Sequence, residues 1–275
     1  MAQPGCPSYI LSGIVPFSMY RKENLDMSQP QIKVSAMNPS AAPSPAPSRT
    51  RLLQATLHLI ATQGYSATSV DQICQRAGVT KGSFFHHFTG KDALVLEAVA
   101  YWQQEMAARY ATARYHEATN PLDRLLGYLD LRAANLTGEL ADTTCPLGTL
   151  VQECYETHPE IRVVCERALA AHAAELVRDL AAAKRLCAPR ARWSAESVAN
   201  FIESAFQGSF VLAKAKQSPD VVRNGIKHLI RYLGFLFQPE KGLGAEGAHR
   251  FDLQVKRNSQ DSATQNAPLQ SHFVD

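Results

Sequence analysis

The sequence predicts an all-α fold, with a small N-terminal head of three helices joined to a larger helical body. Three observations carry this. Thr68 to Asp92, TSVDQICQRAGVTKGSFFHHFTGKD, holds two short capped helices on either side of a Gly78-Val79 turn. Beyond it, apolar residues recur at spacings of three and four, as in Leu122, Leu125, Leu126, Leu129, Ala133, Leu136 and Leu140. Pairs that suit a helix start, Asn120-Pro121, Cys145-Pro146 and His158-Pro159, punctuate these runs.

Residues 1–48 show no sustained periodicity and close on NPSAAPSPAPS, a Pro/Ala/Ser stretch expected to be extended and flexible. They read as a disordered or mis-assigned extension, with Met27 and Met37 as alternative starts. The head follows over 49–108. Its first helix is expected from Arg49 or Thr50 to Gln63, with Leu52, Leu53, Thr56, Leu59 and Ile60 turned inward and Gly64 ending it. In the second, Thr68 or Ser69 is the N-cap, Asp71 complements the dipole, and Val70, Ile73, Cys74 and Ala77 make one apolar face. Gly78 suits a left-handed C-cap. Thr80 caps the third helix, where Phe84 and Phe88 share the buried side while Lys81, Ser83, Phe85, His86 and His87 spread over the rest.

A helix this short is held by its neighbours, which leaves its polar face free for a major groove. Gly82, which costs about 1 kcal/mol in a helix interior, fits where backbone approaches a phosphate or another helix. Lys91 opens the next helix within reach of a phosphate. Between Arg49 and Asp92, Arg49, Arg51, Arg76, Lys81 and Lys91 stand against Asp71 and Asp92, a local positive excess in a chain of net charge +3. A hairpin that merely packs needs no such sequence of cap, glycine turn, second cap and exposed aromatic face.

Arg51 to Leu94 resembles the DNA-binding domain of the TetR family of bacterial transcriptional regulators. The matching residues are Leu59-Ile60, Gly64-Tyr65, Thr68 through Ile73, Ala77 through Ser83, and His87-Phe88 followed by Lys91. Phe85 stands where the family generally carries a phosphate-touching tyrosine, and Cys74 replaces a common alanine. The resemblance implies that Thr68, Thr80, Lys81, Gly82, Ser83, Phe85, His86, His87 and Lys91 contact double-stranded DNA at a palindromic operator. It also implies a homodimeric repressor in the cytoplasm, released by a small-molecule effector bound in the C-terminal domain.

That effector-binding and dimerisation domain is assigned to 109–238. The helix entering it carries Leu94, Val95, Ala98, Tyr101, Trp102 and Met106 to about Tyr115, long enough to pass a push from body to head. The Leu122 to Leu140 stripe reads as one helix, GELADTT as a loop, and Cys145-Pro146 as the start of a short helix to about Tyr155. His158-Pro159 starts the next helix, in which Ile161 to Leu180 keep the helical period for about five turns until Lys184-Arg185. The last two begin at Ser194 and Pro219-Asp220. Their apolar surface exceeds one core's need, and Gly208, Gly225 and Gly234 lie along them, so a four-helix interface between two copies is expected. Residues 239–275 read as a disordered tail.

No GxSxG, P-loop, strand-linked GxGxxG or HExxH occurs, so no enzyme, cofactor or metal is expected. The six cysteines lack zinc-site spacing, and no apolar run reaches the roughly 18 residues of a membrane span. Cys145, at a helix start where free N–H groups favour a thiolate, is the candidate sensor of electrophiles; its other reading is a small buried residue. Cys-Pro-Leu-Gly is also similar to a TetR subgroup with a sensing cysteine. His172 is either a ligand-binding residue or a satisfied core histidine. The competing class is an all-helical enzyme or carrier with an incidental hairpin, distinguished by whether the protein binds DNA sequence-specifically and salt-sensitively.

Overall fold

Every regular element among the described residues of the computed structural model, Cys6, Pro7 and 46–238, is helical. The expectations for the segment before Ala46 and the tail after Gln238 lie outside those residues. The head comprises α1 (Ser48–Gln63), α2 (Val70–Ala77), α3 (Lys81–His87) and the first turns of α4 (Lys91–Ala111). Ser69, not Thr68, caps α2: its hydroxyl accepts from the Gln72 N–H at 3.3 Å while its own N–H donates to Gln72 Oε1 at 2.9 Å. Gly78 ends α2 at φ 62°, ψ 45°, a left-handed turn that glycine adopts without strain. Thr80 Oγ1 then accepts from the Ser83 N–H at 3.1 Å and starts α3. Leu52, Ile73, Phe84, Leu94 and Ala98 close a head core from which solvent is excluded.

The body contains α5 (Pro121–Ala134), α6 (Leu140–Thr143), α7 (Pro146–Cys154), α8 (Pro159–Cys187), α9 (Ala195–Lys216) and α10 (Asp220–Leu236). Two expected boundaries move. α4 stops at Ala111, and a short 3-10 turn over Arg114–Glu117 brings Tyr115 to within 5.8 Å of the Tyr128 ring, centre to centre. α5 stops at Ala134, because Asn135 and the positive-φ Gly138 turn the chain. Leu136 stays buried in that turn and Leu140 opens α6, so the leucine stripe outruns the helix that began it.

Head and body cores meet along α1 and α4 rather than at a linker. Leu52 and Leu53 of α1 enter the head core and Ile60 the body core; Leu94 and Ala98 of α4 face the head, Val95 and Val99 the body. A displacement of the body against α4 therefore has no flexible joint in which to dissipate.

The last two helices bury most of their apolar residues within their own chain, including Ile202, Phe206, Val222, Ile226 and Leu233. Gly225 lets α10 approach α9, since a Cβ there would sit 2.5 Å from Ser209 Oγ, and Gly234 is buried. Gly208 alone of the three expected glycines faces open space. Beside it an outer apolar strip remains: Phe201 is 48% exposed, Leu212 53% and Phe235 68%. Strips of this kind mark contact surfaces.

Candidate DNA-reading face and its link to the body

α3 divides its side chains as a reading helix must. Phe84 and Phe88 anchor it in the head core, while Thr80, Lys81, Gly82, Phe85 and His86 lie on the outside and Ser83 is half-buried at its start. Phe85, 60% exposed, is an aromatic surface offered to a partner. A Cβ at Gly82 would meet nothing closer than Thr80 Oγ1 at 3.7 Å, so the glycine leaves the outer face shallow.

Three of the candidate DNA contacts are placed elsewhere. Thr68 is buried, 2% exposed, with its hydroxyl donating to the Gly64 carbonyl at 2.6 Å. His87 turns toward the start of α1, where its Nε2 lies 2.8 Å from Ser48 Oγ. Lys91 folds back onto the loop between α1 and α2, donating to the Tyr65 and Thr68 carbonyls at 3.1 Å each, with its ammonium 3.8 Å from the centre of the Tyr65 ring. For Thr68 and Lys91 the reason is shared: the α1–α2 loop carries backbone carbonyls that need donors, and these two side chains supply them, while His87 is held by the Ser48 hydroxyl. The positive excess of the head is also partly spoken for. Lys81 pairs with Asp71 at 2.7 Å and Arg49 with Glu97, so a phosphate must compete with a carboxylate for each.

The same loop receives the body. Glu153, at the end of α7, accepts from the Tyr65 N–H at 3.2 Å and the Ser66 N–H at 2.9 Å, one carboxylate oxygen for each. Tyr65 also donates to Asp92, and its hydroxyl lies 3.2 Å from His158 Nε2 with the two rings edge to face at 4.8 Å. Burial first, then the Asp92 contact, raises the Tyr65 phenol well above its usual pKa, so it stays a hydrogen-bond donor at any physiological pH.

At its other end α7 meets a polar cluster inside the body. Arg132 donates to the Tyr128 hydroxyl at 2.9 Å, Tyr128 bonds His172 Nε2, and His172 Nδ1 lies 2.5 Å from Glu203 Oε2. Gln207 donates to the other Glu203 oxygen at 2.7 Å, and the guanidinium of Arg132 lies 4.4 Å from the Phe206 ring centre. With Arg132 donating to Tyr128, the tyrosine proton is left for Nε2 and the Nδ1–H for the carboxylate. Burial pulls the Glu203 pKa upward, but the His172 bond and charge, then Gln207 and Arg132, outweigh it and hold the carboxyl below its usual range. His172 thus has a partner on each ring nitrogen, which is the satisfied-core arrangement.

Cys145 caps α7 from within this neighbourhood, 8% exposed. Backbone N–H groups of Gly148 and Leu147 and the Gln207 side chain do favour its thiolate, as a helix start should. Burial opposes them and wins, with Glu203 adding to the rise, so the thiol pKa goes up. Of the two readings of Cys145, its burial fits the small buried residue, and exposure is something sequence pattern does not report. α7, about 13 Å long at 1.5 Å per residue, runs from this cluster to the Tyr65 loop. Lys214 of α9 steadies it midway by donating to Thr149 Oγ1 at 2.7 Å.

Sequence reasoning missed Glu153, Arg132, Glu203 and Gln207. Each reads as a polar residue on an amphipathic helix, and no local spacing separates a solvated carboxylate from one aimed at a loop far away in the chain.

A capped helix-turn-helix carrying an exposed reading face on an all-helical body defines a DNA-binding regulator. Two family models match: bacterial regulatory proteins of the tetR family over residues 52–98, and the C-terminal domain of LmrA/YxaF-like transcriptional regulators over residues 121–228. YxaF of Bacillus subtilis, an uncharacterized HTH-type transcriptional regulator, is 28% identical over 134 residues, 48% of this chain and 70% of its own. The HTH-type transcriptional repressor KstR2 of Mycolicibacterium smegmatis is 35% identical over 91 residues, 33% of this chain but only 44% of its own. The crystal structure of regulatory protein TetR from Rhodobacter sphaeroides shares the fold, with a TM-score of 0.61 at 23% identity over 69% of this chain and 98% of that one. The chain belongs to the TetR family of bacterial transcriptional regulators. No helix among the described residues is long and apolar enough to cross a membrane.

Proposed function

We propose that the protein is a homodimeric repressor that reads a palindromic operator in the cytoplasm and is released by a small effector bound in its body. The observation that carries this reading is the outer face of α3, with Thr80, Lys81, Gly82, Phe85 and His86 displayed by a helix whose other side is locked in the head core. Specific, salt-sensitive binding to a palindrome from the flanking genes, measured by fluorescence anisotropy against a scrambled duplex, is the test. Equal affinity for both duplexes sinks the proposal.

Within that assay, His86→Ala or Ser83→Ala is expected to alter discrimination at particular base pairs by about 1–3 kcal/mol. Lys91→Ala behaves differently. Because its ammonium serves the Tyr65 and Thr68 carbonyls, its loss costs about 1–3 kcal/mol of head stability and leaves the salt slope of binding unchanged. A slope lowered by about one unit, with the melting curve unmoved, returns Lys91 to the phosphate.

The dimer is assigned to the outer strip of α9 and α10. Gly208→Arg is the cleanest probe, since its Cβ meets nothing in the monomer and arginine is the better helix former by about 1 kcal/mol. It is expected to yield a folded monomer at micromolar concentration, by sedimentation, with operator affinity lost because half-sites about 10 base pairs apart need two heads. A dimer that survives Gly208→Arg places the interface elsewhere. The effector is inferred to bind reversibly, because Cys145 is buried at the start of α7 and closed to a reagent from solvent, and α7 is the element through which it reaches the head.

A further inference from the structure

We propose that Cys6 and Cys187 form a thiol pair that a peroxide converts to a disulfide, a modification site joining the N-terminal segment to the end of α8. Both are free thiols. Cys187 is the last residue of α8 and 8% exposed in the body core, and Cys6 packs on that same core although it lies about 180 residues earlier. Cys6 acts on the Cys187 thiol as a neighbour within hydrogen-bonding reach where both pack on the body core. Thiols in such contact need only a small approach to reach disulfide geometry, and neither is committed to the reading face, the Glu153 joint or the polar cluster.

The pair divides the chemistry. Cys6 is the one cysteine that is not buried, so it meets the oxidant first. Burial, then the Cys6 contact, raises the Cys187 thiol pKa and keeps that sulfur protonated and protected until a partner is activated. The Cys6 thiolate attacks one peroxide oxygen, the O–O bond breaks, and the sulfur becomes a sulfenic acid as hydroxide leaves. Cys187 sulfur then attacks Cys6 sulfur, the S–O bond breaks, and the Cys187 proton departs with the hydroxyl as water. With hydrogen peroxide, two thiols and one peroxide give one disulfide and two waters; the sulfurs together lose the two electrons that the peroxide gains.

Full-length reduced protein, treated with a few equivalents of hydrogen peroxide, alkylated and digested without reductant, tests this. A single cross-linked peptide joining Cys6 and Cys187 is expected, with free thiols falling from six to four per chain, full reversal by dithiothreitol and a raised melting temperature. Cys187→Ser is expected to stop at a Cys6 sulfenic acid that dimedone traps. Cys6→Ala, away from the buried core, is expected to keep its other five thiols through the same treatment. A disulfide between other cysteines, a Cys6–Cys6 link between two chains, or oxidation of Cys6 beyond the sulfenic acid with Cys187 still free overturns the proposal.

Discussion

Leu233→Glu is expected to unfold the protein rather than release a folded monomer. In the structure Leu233 is fully buried in the body core. A carboxylate there is cut off from water, and the loss should reach about 4–5 kcal/mol, a large share of the 5–15 kcal/mol that typically holds a domain together. Phe206→Glu is a less decisive probe, because the Arg132 guanidinium over that ring can pair with the new carboxylate. The sign of the pH dependence is a further check. A buried carboxyl introduced at 233 has a folded-state pKa above its unfolded value, so its penalty is largest at neutral pH and shrinks as pH falls below it. Urea melts at two pH values measure this. A cooperative melt like the parent's, from a protein that sediments as a monomer, puts Leu233 on the interface after all.

Gly64→Ala should have the next largest effect, at the joint between head and body. Gly64 ends α1 at φ 88°, ψ 172°, a region that side-chain-bearing residues enter only at a cost of about 1–3 kcal/mol. Its Cβ would also sit 2.0 Å from Glu153 Oε1, forcing the carboxylate off the Tyr65 and Ser66 N–H groups. Glu153→Ala removes the same acceptor without strain. It should cost about 1–2 kcal/mol, since the Ser66 side is exposed and water replaces that contact. Combined, Gly64→Ala and Glu153→Ala should cost less than the sum of the two, because the clash and the lost hydrogen bonds are the same event. Strict additivity in thermal or urea melts shows that Glu153 does not hold the loop. If the joint transmits the effector signal, Glu153→Ala keeps operator binding and loses its response to effector.

Much of the head was readable because its determinants are local. Ser69, Gly78 and Thr80 act on backbone groups within three or four residues, and the Phe84/Phe88 pair needs only helical geometry to share a face. The same logic placed Cys145 and His158 at helix starts. Local reasoning fell short where two distant segments compete for one group. Lys91 and His87 carry the right chemistry for DNA and sit in the right stretch, but a carbonyl of the α1–α2 loop and Ser48 engage them first. At Cys145 the helix start acts as expected, and burial by the rest of the body reverses the outcome.

The sequence by itself determined the all-α class, the helix-turn-helix and the residues eligible to read DNA, since caps, glycine turns and a period near 3.6 are written within a few residues of one another. Only the tertiary structure decided which of those residues remain available and how the body reaches the head. Tyr65 and Glu153 lie 88 positions apart in the chain, and His172 and Glu203 lie 31 apart. Whether a polar group is free, paired or desolvated depends on what packing brings beside it, and along the chain such partners leave no periodic trace.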